Sequence, residues 1–469
     1  MAGPSMTVPA ELRQKLQRHQ QEHALAWWDR LNDAERRVLI EQLQSIDLER
    51  LSQLFAERER TYQVPEPSRI KPLPIAPADA SDNAAMRAVG EEALRRGEVA
   101  ALVVAGGQGS RLGFDHPKGM FAVGPISHKS LFQIHAEKVL ALGRRYGKQP
   151  PFLVMTSPAT DAETREFFEQ QRYFGLPKDE IFFFCQGTMP ALDLATGRLL
   201  MEAPRRLFLS PDGHGGTLTA LAKSGLLDRL RQRRIRHLFY FQVDNPLVKV
   251  AEPIFLGRHI TQRSEASSKI VPKQGAKDRL GNLVQVEGRC TMIEYSDLPD
   301  SLAHETDENG RLRLWAGSPA IHIFDADFLS RVTEGAGLLP FHVARKKVPC
   351  LDDKGQTVQP EKENALKFER FIFDVLPLAE RWLVMETSHR EEFAPLKNAE
   401  GADSPKTVAA ALSNLAADWL SRAGVEVPRT ASGEPAAPLE ISPLFALDAE
   451  ELATRVDRGT RIDGPTYLS

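Results

Sequence analysis

The spacing most suited to chemistry is Ala105-Gly-Gly-Gln-Gly-Ser-Arg-Leu-Gly113, followed by Pro117 and Lys118. Glycines at 106, 107, 109 and 113 let a backbone approach a ligand closely and turn N–H groups towards phosphate oxygens, where bulkier residues would clash. Gly106, Gly107 and Gly109 are the candidate contacts, and Arg111 and Lys118 add cationic donors. Two familiar loops fail on spacing. A dinucleotide fingerprint needs GxGxxG, but Gly107 and Gly109 are followed at the required place by Leu112. A Walker A loop needs Lys followed by Ser or Thr, whereas Lys118 precedes Gly119. A plain strand-to-helix turn with solvated charges is the simpler alternative. Four glycines joined to Arg and Lys favour a nucleotide.

Such a loop must hang from a buried strand, and residues 99–105 are a short apolar run rich in valine. Similar runs recur at 151–156, 181–184, 238–243 and 321–324, with an amphipathic segment at 130–146. The alternation predicts an α/β sheet. Residues 268–295 and 310–316 read instead as twisted antiparallel strands with turns at 279–282 and 308–310, forming a side sheet beside the substrate. Leucines spaced at helical intervals over 9–60 predict an α-helical N-terminal region, and five prolines between 63 and 81 an extended connector. A helix is expected at 83–96 and another at 406–423. The division expected is a helical region and linker at 1–96, a catalytic domain at 97–396 and a small C-terminal domain at 397–469.

Gly106-Gly-Gln-Gly-Ser-Arg-Leu-Gly113 with Pro117-Lys-Gly-Met120 resembles the eukaryotic-type UDP-N-acetylglucosamine pyrophosphorylases. Further blocks follow in family order: Lys129 to Glu137, Phe183-Phe-Cys-Gln-Gly187, Ser210-Pro-Asp-Gly-His-Gly-Gly216, Val243-Asp-Asn245, Ile293-Glu-Tyr-Ser296, Phe393-Ala-Pro-Leu-Lys-Asn398 and Glu440-Ile-Ser-Pro-Leu444. The resemblance implies a Rossmann-like nucleotidyltransferase (GT-A-like) fold, a mixed sheet flanked by helices. It implies that UTP and a sugar 1-phosphate are joined into a UDP-sugar with release of pyrophosphate.

By the same resemblance Gly106, Gly107, Gln186, Pro211 and Gly213 hold the uridine. Gln186 offers both the donor and the acceptor that a uracil edge requires, although alone it would read as a polar cap on a strand end. Asp244 matches the aspartate that binds a divalent metal, Mg²⁺ or Mn²⁺; an aspartate capping a loop beside Asn245 is the simpler alternative. Lys367 and Lys397 match lysines that reach the phosphates, and each alone would be an ordinary surface lysine. Attack by the sugar phosphate on the α-phosphorus of UTP needs no protein nucleophile, only positioning and charge neutralisation.

The sugar side departs from the family. Its Asp-Gly-Asn-Gly-Gly reads Asp212-Gly-His-Gly-Gly216 here, with His214 as in UDP-glucose pyrophosphorylases, and a second family asparagine is Ser318. Gly281, Glu294, Tyr295, Phe371 and Phe373 match the family's sugar positions. N-acetylglucosamine leads, with glucose or galactose as the alternative.

Composition bounds the rest. With 60 basic and 63 acidic side chains there is no overall field to draw the chain onto nucleic acid or an anionic membrane. Three scattered cysteines and no apolar leader or spanning run point to a cytoplasmic protein, a monomer or homodimer. Asp325-Ala-Asp327 could pass for a glycosyltransferase DxD motif, but it reads better as a helix start. The basic run 229–236 has Leu226, Leu227 and Leu230 beneath it, which marks a solvated helix face rather than a nucleic-acid surface. A nucleotide-sensing regulator without turnover is the remaining alternative, and the joint presence of Arg111, Lys118, Asp244, Lys367 and Lys397 weighs against it.

Overall fold

The strand that precedes the glycine loop lies inside the sheet, third from one edge. The computed structural model describes residues 6–59, 64–334, 339–457 and 459–469. Internal contacts divide the chain into two units: Val64–Gln186, Thr217–Leu338 and Phe373–Ser469 form the larger, and Met1–Gln63, Gly187–Gly216 and Leu339–Ile372 the smaller.

In the larger unit, Val99–Val104, Phe152–Thr156 and Ile181–Cys185 run parallel, each step outward from the first. The chain then returns to the other flank of Val99–Val104 with His237–Gln242, again parallel. Strand order therefore reverses beside Val99–Val104, and in open α/β sheets such a reversal opens a crevice beyond the carboxyl ends of the strands. Val99 to Val103 are 1 % exposed or less, which is why the run is continuously apolar instead of alternating. The helix Leu131–Tyr146 starts on the Ser130 side chain, whose hydroxyl accepts from Gln133 N, and stops at Gly147 in the left-handed region. Helices Asn83–Arg96 and Pro253–Thr261 cross so closely that a Cβ at Gly90 or Gly257 would enter the other backbone.

The antiparallel strands do not form the separate side sheet expected. His322–Asp325 pairs antiparallel with both His237–Gln242 and Ala266–Pro272, and through the latter the same sheet continues to Ala316–Gly317, Asn282–Val286 and Ile70–Lys71. The tight hairpin turn falls at Glu287 and Gly288, both at positive φ, and not at 279–282. The turn near 308–310 is present, closed by Gly310 N on Asp307 O, but 310–316 holds only an isolated bridge from Leu312 to Thr306 and the start of Ala316–Gly317. Asp325 Oδ1 accepts from the amides of Asp327 and Phe328 and starts the helix Ala326–Glu334, so the DxD is a cap. Leu226, Leu227 and Leu230 are buried under the helix Leu226–Gln232. The C-terminal stretch packs the helix Pro405–Arg422 on Leu439–Ile441, which pairs with Thr466–Leu468.

The smaller unit contains the helices Ala10–Arg18, Asp33–Ser45 and Leu48–Ala56, the second started by an Asn32/Glu35 capping box. Their buried face of Leu12, Leu16, Leu39, Leu43, Leu51 and Leu54 meets Leu192, Leu199, Leu366 and Phe368. Val38, on the helix Asp33–Ser45, is exposed. Residues 60–63, where the helical stretch was expected to end and the connector to begin, lie outside the described residues. The short strands of this unit, Leu192–Asp193, His342–Lys346 and Ala365–Glu369 among them, were not legible in the sequence.

Candidate functional site

Three parallel strands end side by side at Gly106, Ser157 and Gln186. Ala105 N donates to Met155 O and Gln186 N to Thr156 O, which carries the sheet pairing to its last residue. Ser157 Oγ donates to Gly106 O at 2.8 Å. Gln186 is 6 % exposed, and a Cβ added at Gly106 would stand 2.8 Å from its Oε1. At Gly107 an added Cβ would meet nothing, so the chain itself sets no demand for glycine there. Gly109 and Gly113 have internal reasons instead: a Cβ at Gly109 would press on Phe114, and Gly113 sits at φ +67°. The loop closes on itself through Lys118 N to Gly107 O at 3.0 Å, with Arg111 exposed on its rim.

Across the strand-order reversal, Lys118 Nζ donates to Asp244 Oδ2 at 3.3 Å. Asp244 follows the strand His237–Gln242, and His135 Nε2 donates to Val243 O at 2.9 Å from the helix Leu131–Tyr146. Burial drops the pKa of His135 to about 3, so the ring is neutral and can serve as this fixed donor. Leu396 N donates to Asp244 O, and Asn245 both donates to Glu392 O and accepts from Ala394 N. These bonds dock the segment carrying Lys397 on the Asp244 loop. Beneath it, fully buried Lys269 lies 2.6 Å from Glu252 and 2.5 Å from Glu392, and Lys249 lies 2.6 Å from Glu391. Burial opposes ionisation of Glu391, but Lys249 and Arg422 override it and bring its pKa down to about 2.

A second cluster of expected residues lies along the same sheet. Tyr240 is opposite His322 and Ser268 is opposite His322, while Gly317 is opposite both Val271 and Asn282. This register places Gly281 and Ser318 level with the carboxyl ends of the parallel strands. Ser318 N donates to Gly281 O at 2.9 Å, and Asn282 opposite Ile293 brings Glu294 alongside. Tyr295 is 47 % exposed and Phe373 is buried. Sequence reasoning missed Lys273 and Asn282 here. Lys273 Nζ donates to Asn282 Oδ1 at 2.8 Å, and burial pulls the lysine pKa down. Only the strand register brings these two to the row.

In the smaller unit, Pro211 ends a strand paired with Thr188–Pro190, and Gly213, at φ +83°, packs so tightly on Arg370 O that no side chain fits. His214 Nδ1 accepts from Ile372 N at 3.1 Å, and its ring lies 5.3 Å from that of Phe371. Burial, with His342 nearby, lowers the His214 pKa to about 4. The neutral ring thus carries its proton on Nε2. Lys367 projects from Ala365–Glu369 over the Phe208 ring, and burial lowers its pKa, with Glu369 opposing and Lys346 adding to the effect.

Among the described residues no cluster of three or more His, Cys, Asp or Glu could bind a metal ion, so Asp244 is a single hard oxygen donor. That suits Mg²⁺ or Mn²⁺, which take most of their ligands from substrate phosphates and water. The described helices include none long and apolar enough to cross a membrane.

Residues 48–415 match the family model described as UTP–glucose-1-phosphate uridylyltransferase. The chain is 35 % identical to the UDP-N-acetylhexosamine pyrophosphorylase-like protein 1 of Homo sapiens, over 99 % of this chain and 97 % of that protein. It is 39 % identical to the UDP-N-acetylglucosamine pyrophosphorylase of Saccharomyces cerevisiae, over 72 % of this chain and 73 % of that one. The solved UDP-N-acetylglucosamine pyrophosphorylase of Trypanosoma brucei, in complex with an inhibitor, superposes with a TM-score of 0.84 at 28 % identity, covering 100 % of this chain and 99 % of that one. The α/β fold with its nucleotidyltransferase sheet is thus shared, and the chain belongs to the UTP–glucose-1-phosphate uridylyltransferase family, on its UDP-N-acetylhexosamine pyrophosphorylase side.

Proposed function

We propose that this uridylyltransferase joins UTP to N-acetylglucosamine 1-phosphate, giving UDP-N-acetylglucosamine and pyrophosphate. The observation that carries the reading is the convergence, at one strand-order reversal, of the Gly106–Gln186 pair and the Lys118–Asp244 pair. The first is a close approach of glycine backbone to a buried amide, suited to a uracil edge, and the second is a cation and a carboxylate, suited to phosphates and a metal ion.

Gln186 reads the base while Gly106 and Gly107 leave room for it, with Pro211 and Gly213 contributing to uridine binding. Arg111 and Lys118 neutralise the triphosphate, and Lys367 and Lys397 serve the bridging and sugar phosphates. The half-buried Lys367 gains an anionic partner when phosphate arrives, which offsets its desolvation. A divalent cation on Asp244 would supply further charge neutralisation as pyrophosphate departs. Lys118 Nζ stands 3.3 Å from Asp244 Oδ2, so the same ammonium that meets the triphosphate also neighbours the carboxylate assigned to the cation. The sugar phosphate oxygen attacks the α-phosphorus in line, and the chain's part is to align two polyanions and hold them against their repulsion. Gly281, Glu294, Tyr295, Ser318, Phe371 and Phe373 are assigned to the sugar, with His214 Nε2–H as a donor for it.

His214 and Ser318 leave UDP-glucose or UDP-galactose synthesis as the second reading. Three free cysteines fit a reducing cytoplasm, and either a monomer or a homodimer accommodates the reading. Pyrophosphate release from UTP and Mg²⁺, measured with N-acetylglucosamine, N-acetylgalactosamine, glucose and galactose 1-phosphates, tests the proposal. Release dependent on the first sugar supports it, dependence on glucose or galactose selects the second reading, and silence across the panel refutes both.

A further inference from the structure

Behind the Asp244 loop, in the larger unit, lies a cavity of about 460 Å³. Its walls are the helix Leu131–Tyr146, the backbone 246–250, the helix Pro405–Arg422 and the stretch 440–450. The volume is within the range of pockets that take drug-sized molecules, about 300–1,000 Å³. Its walls combine apolar and aromatic surface from Leu142, Tyr146, Leu412, Leu415, Trp419 and Leu447.

The charges at its edge are mostly matched. Arg145 is 2.6 Å from Asp448, Lys249 is 2.6 Å from Glu391 and Arg422 is 2.7 Å from the same Glu391. Lys138 differs. Its Nζ donates to Pro246 O at 2.5 Å and Val248 O at 2.7 Å, and no carboxylate pairs with it among the described residues. Two of its three protons are spent on neutral carbonyls and the third has no anion. Burial brings its pKa down to about 7, with only Glu392 acting the other way.

We propose that this cavity binds a small molecule with a flat apolar body and one carboxylate or sulfonate group, the body against Trp419, Tyr146 and Leu142 and the anion on Lys138, and that occupancy lowers turnover without displacing UTP. The coupling is covalent and short. Pro246 and Val248 follow directly on Asp244 and Asn245, so an anion that draws the ammonium away removes the brace from the loop that presents Asp244. That coupling rests on Asp244 serving the triphosphate, whereas binding in the cavity does not.

The probe is 8-anilinonaphthalene-1-sulfonate, titrated by its fluorescence into the full chain with and without saturating UTP. Saturable one-to-one binding, unaffected by UTP and accompanied by a fall in kcat at constant KM for UTP, is the expected result. Lys138→Met should weaken the probe roughly tenfold or more through loss of one charge-assisted hydrogen bond, and Lys138→Arg should keep it. Leu415→Trp, which fills the cavity from the opposite wall, should abolish binding while sparing basal turnover, and it serves if Lys138→Met does not fold. Displacement by UTP, or binding unchanged in both Lys138→Met and Leu415→Trp, overturns the site. Probe binding that obeys these rules but leaves kcat unchanged overturns the coupling alone and leaves the cavity and the uridylyltransferase reading standing.

Discussion

Gly106→Ala tests the uracil slot through a clash built into the loop. The new methyl would stand 2.8 Å from Gln186 Oε1 and 3.3 Å from Ser157 Cβ. The amide is the far end of a rotatable side chain, so it yields before the sheet does. Gly106 is not at positive φ, and alanine restricts the unfolded chain, so fold stability should change by no more than about 1 kcal/mol. The amide that has moved is the one that would pair with the uracil edge. Losing two such hydrogen bonds, at about 0.5–1.5 kcal/mol each, costs roughly 1–3 kcal/mol. At 1.4 kcal/mol per tenfold this raises KM for UTP about 5- to 150-fold, with kcat little altered because ground and transition states lose the same contact. Steady-state pyrophosphate release gives KM, and a double-mutant cycle gives the mechanism. Gln186→Ala should produce a similar loss, and Gly106→Ala/Gln186→Ala should be no worse than Gln186→Ala alone, since the methyl then has nothing to displace. Additive losses, or an unchanged KM in a folded Gly106→Ala, would refute the assignment of Gln186 to the base.

Three other outcomes are expected. Asp244→Ala should abolish pyrophosphate release at ordinary Mg²⁺ levels, and near-normal turnover there removes this carboxylate from the mechanism. His214→Asn, measured on the sugar phosphate panel, should shift the ratio of N-acetylated to plain hexose phosphates, since it replaces an imidazole Nε2–H with an amide; an unchanged ratio places His214 away from the sugar. Stability should also fall on mild acidification. Burial lowers His135 to about 3 and His237 to about 4, and pushes His259 well below its ordinary value, so the unfolded chain binds protons near pH 6.5 that the fold refuses. Their contribution is complete above pH 6.5 and declines as pH falls towards 4, at up to about 1.4 kcal/mol per histidine per pH unit. Urea midpoints at pH 7, 6 and 5 should therefore decline, and His135→Phe should make the decline shallower; a flat profile contradicts the burial of these rings.

Local signals were legible where local chemistry dictates them. The apolar runs at 99–105 and 181–184 and the amphipathic segment at 130–146 all read correctly, because burial on both faces and helical periodicity leave marks within a few residues. The glycine loop was legible as a loop ending a buried strand, although Gly109 and Gly113 answer to Phe114 and to backbone φ, a distinction composition does not carry. Register was not legible. The continuity of the antiparallel strands with the central sheet depends on which residue faces which across Ala266–Pro272, and no single strand encodes that. Lys273 and Asn282 were missed for the same reason. The buried partners Lys269, Glu252 and Glu392 are far apart in sequence and look like ordinary surface charges until the fold brings them together. His135, inside the block Lys129 to Glu137, gains a meaning only from its bond to Val243 O.

The bonds from Asn245 to Glu392 and Ala394, and from Leu396 to Asp244, have a consequence in time. Ala394 is made 149 residues after Asn245, so the loop that presents Asp244 waits through that stretch of synthesis for its clasp and for Lys397. Pairing at such separation is slow to form and is completed only when the late segment emerges. A chain that ends before this segment therefore carries the early glycine loop but neither a fastened Asp244 nor Lys397. On the roles proposed for these residues, such a fragment would bind UTP without turning it over, and competence would wait until synthesis has passed Lys397.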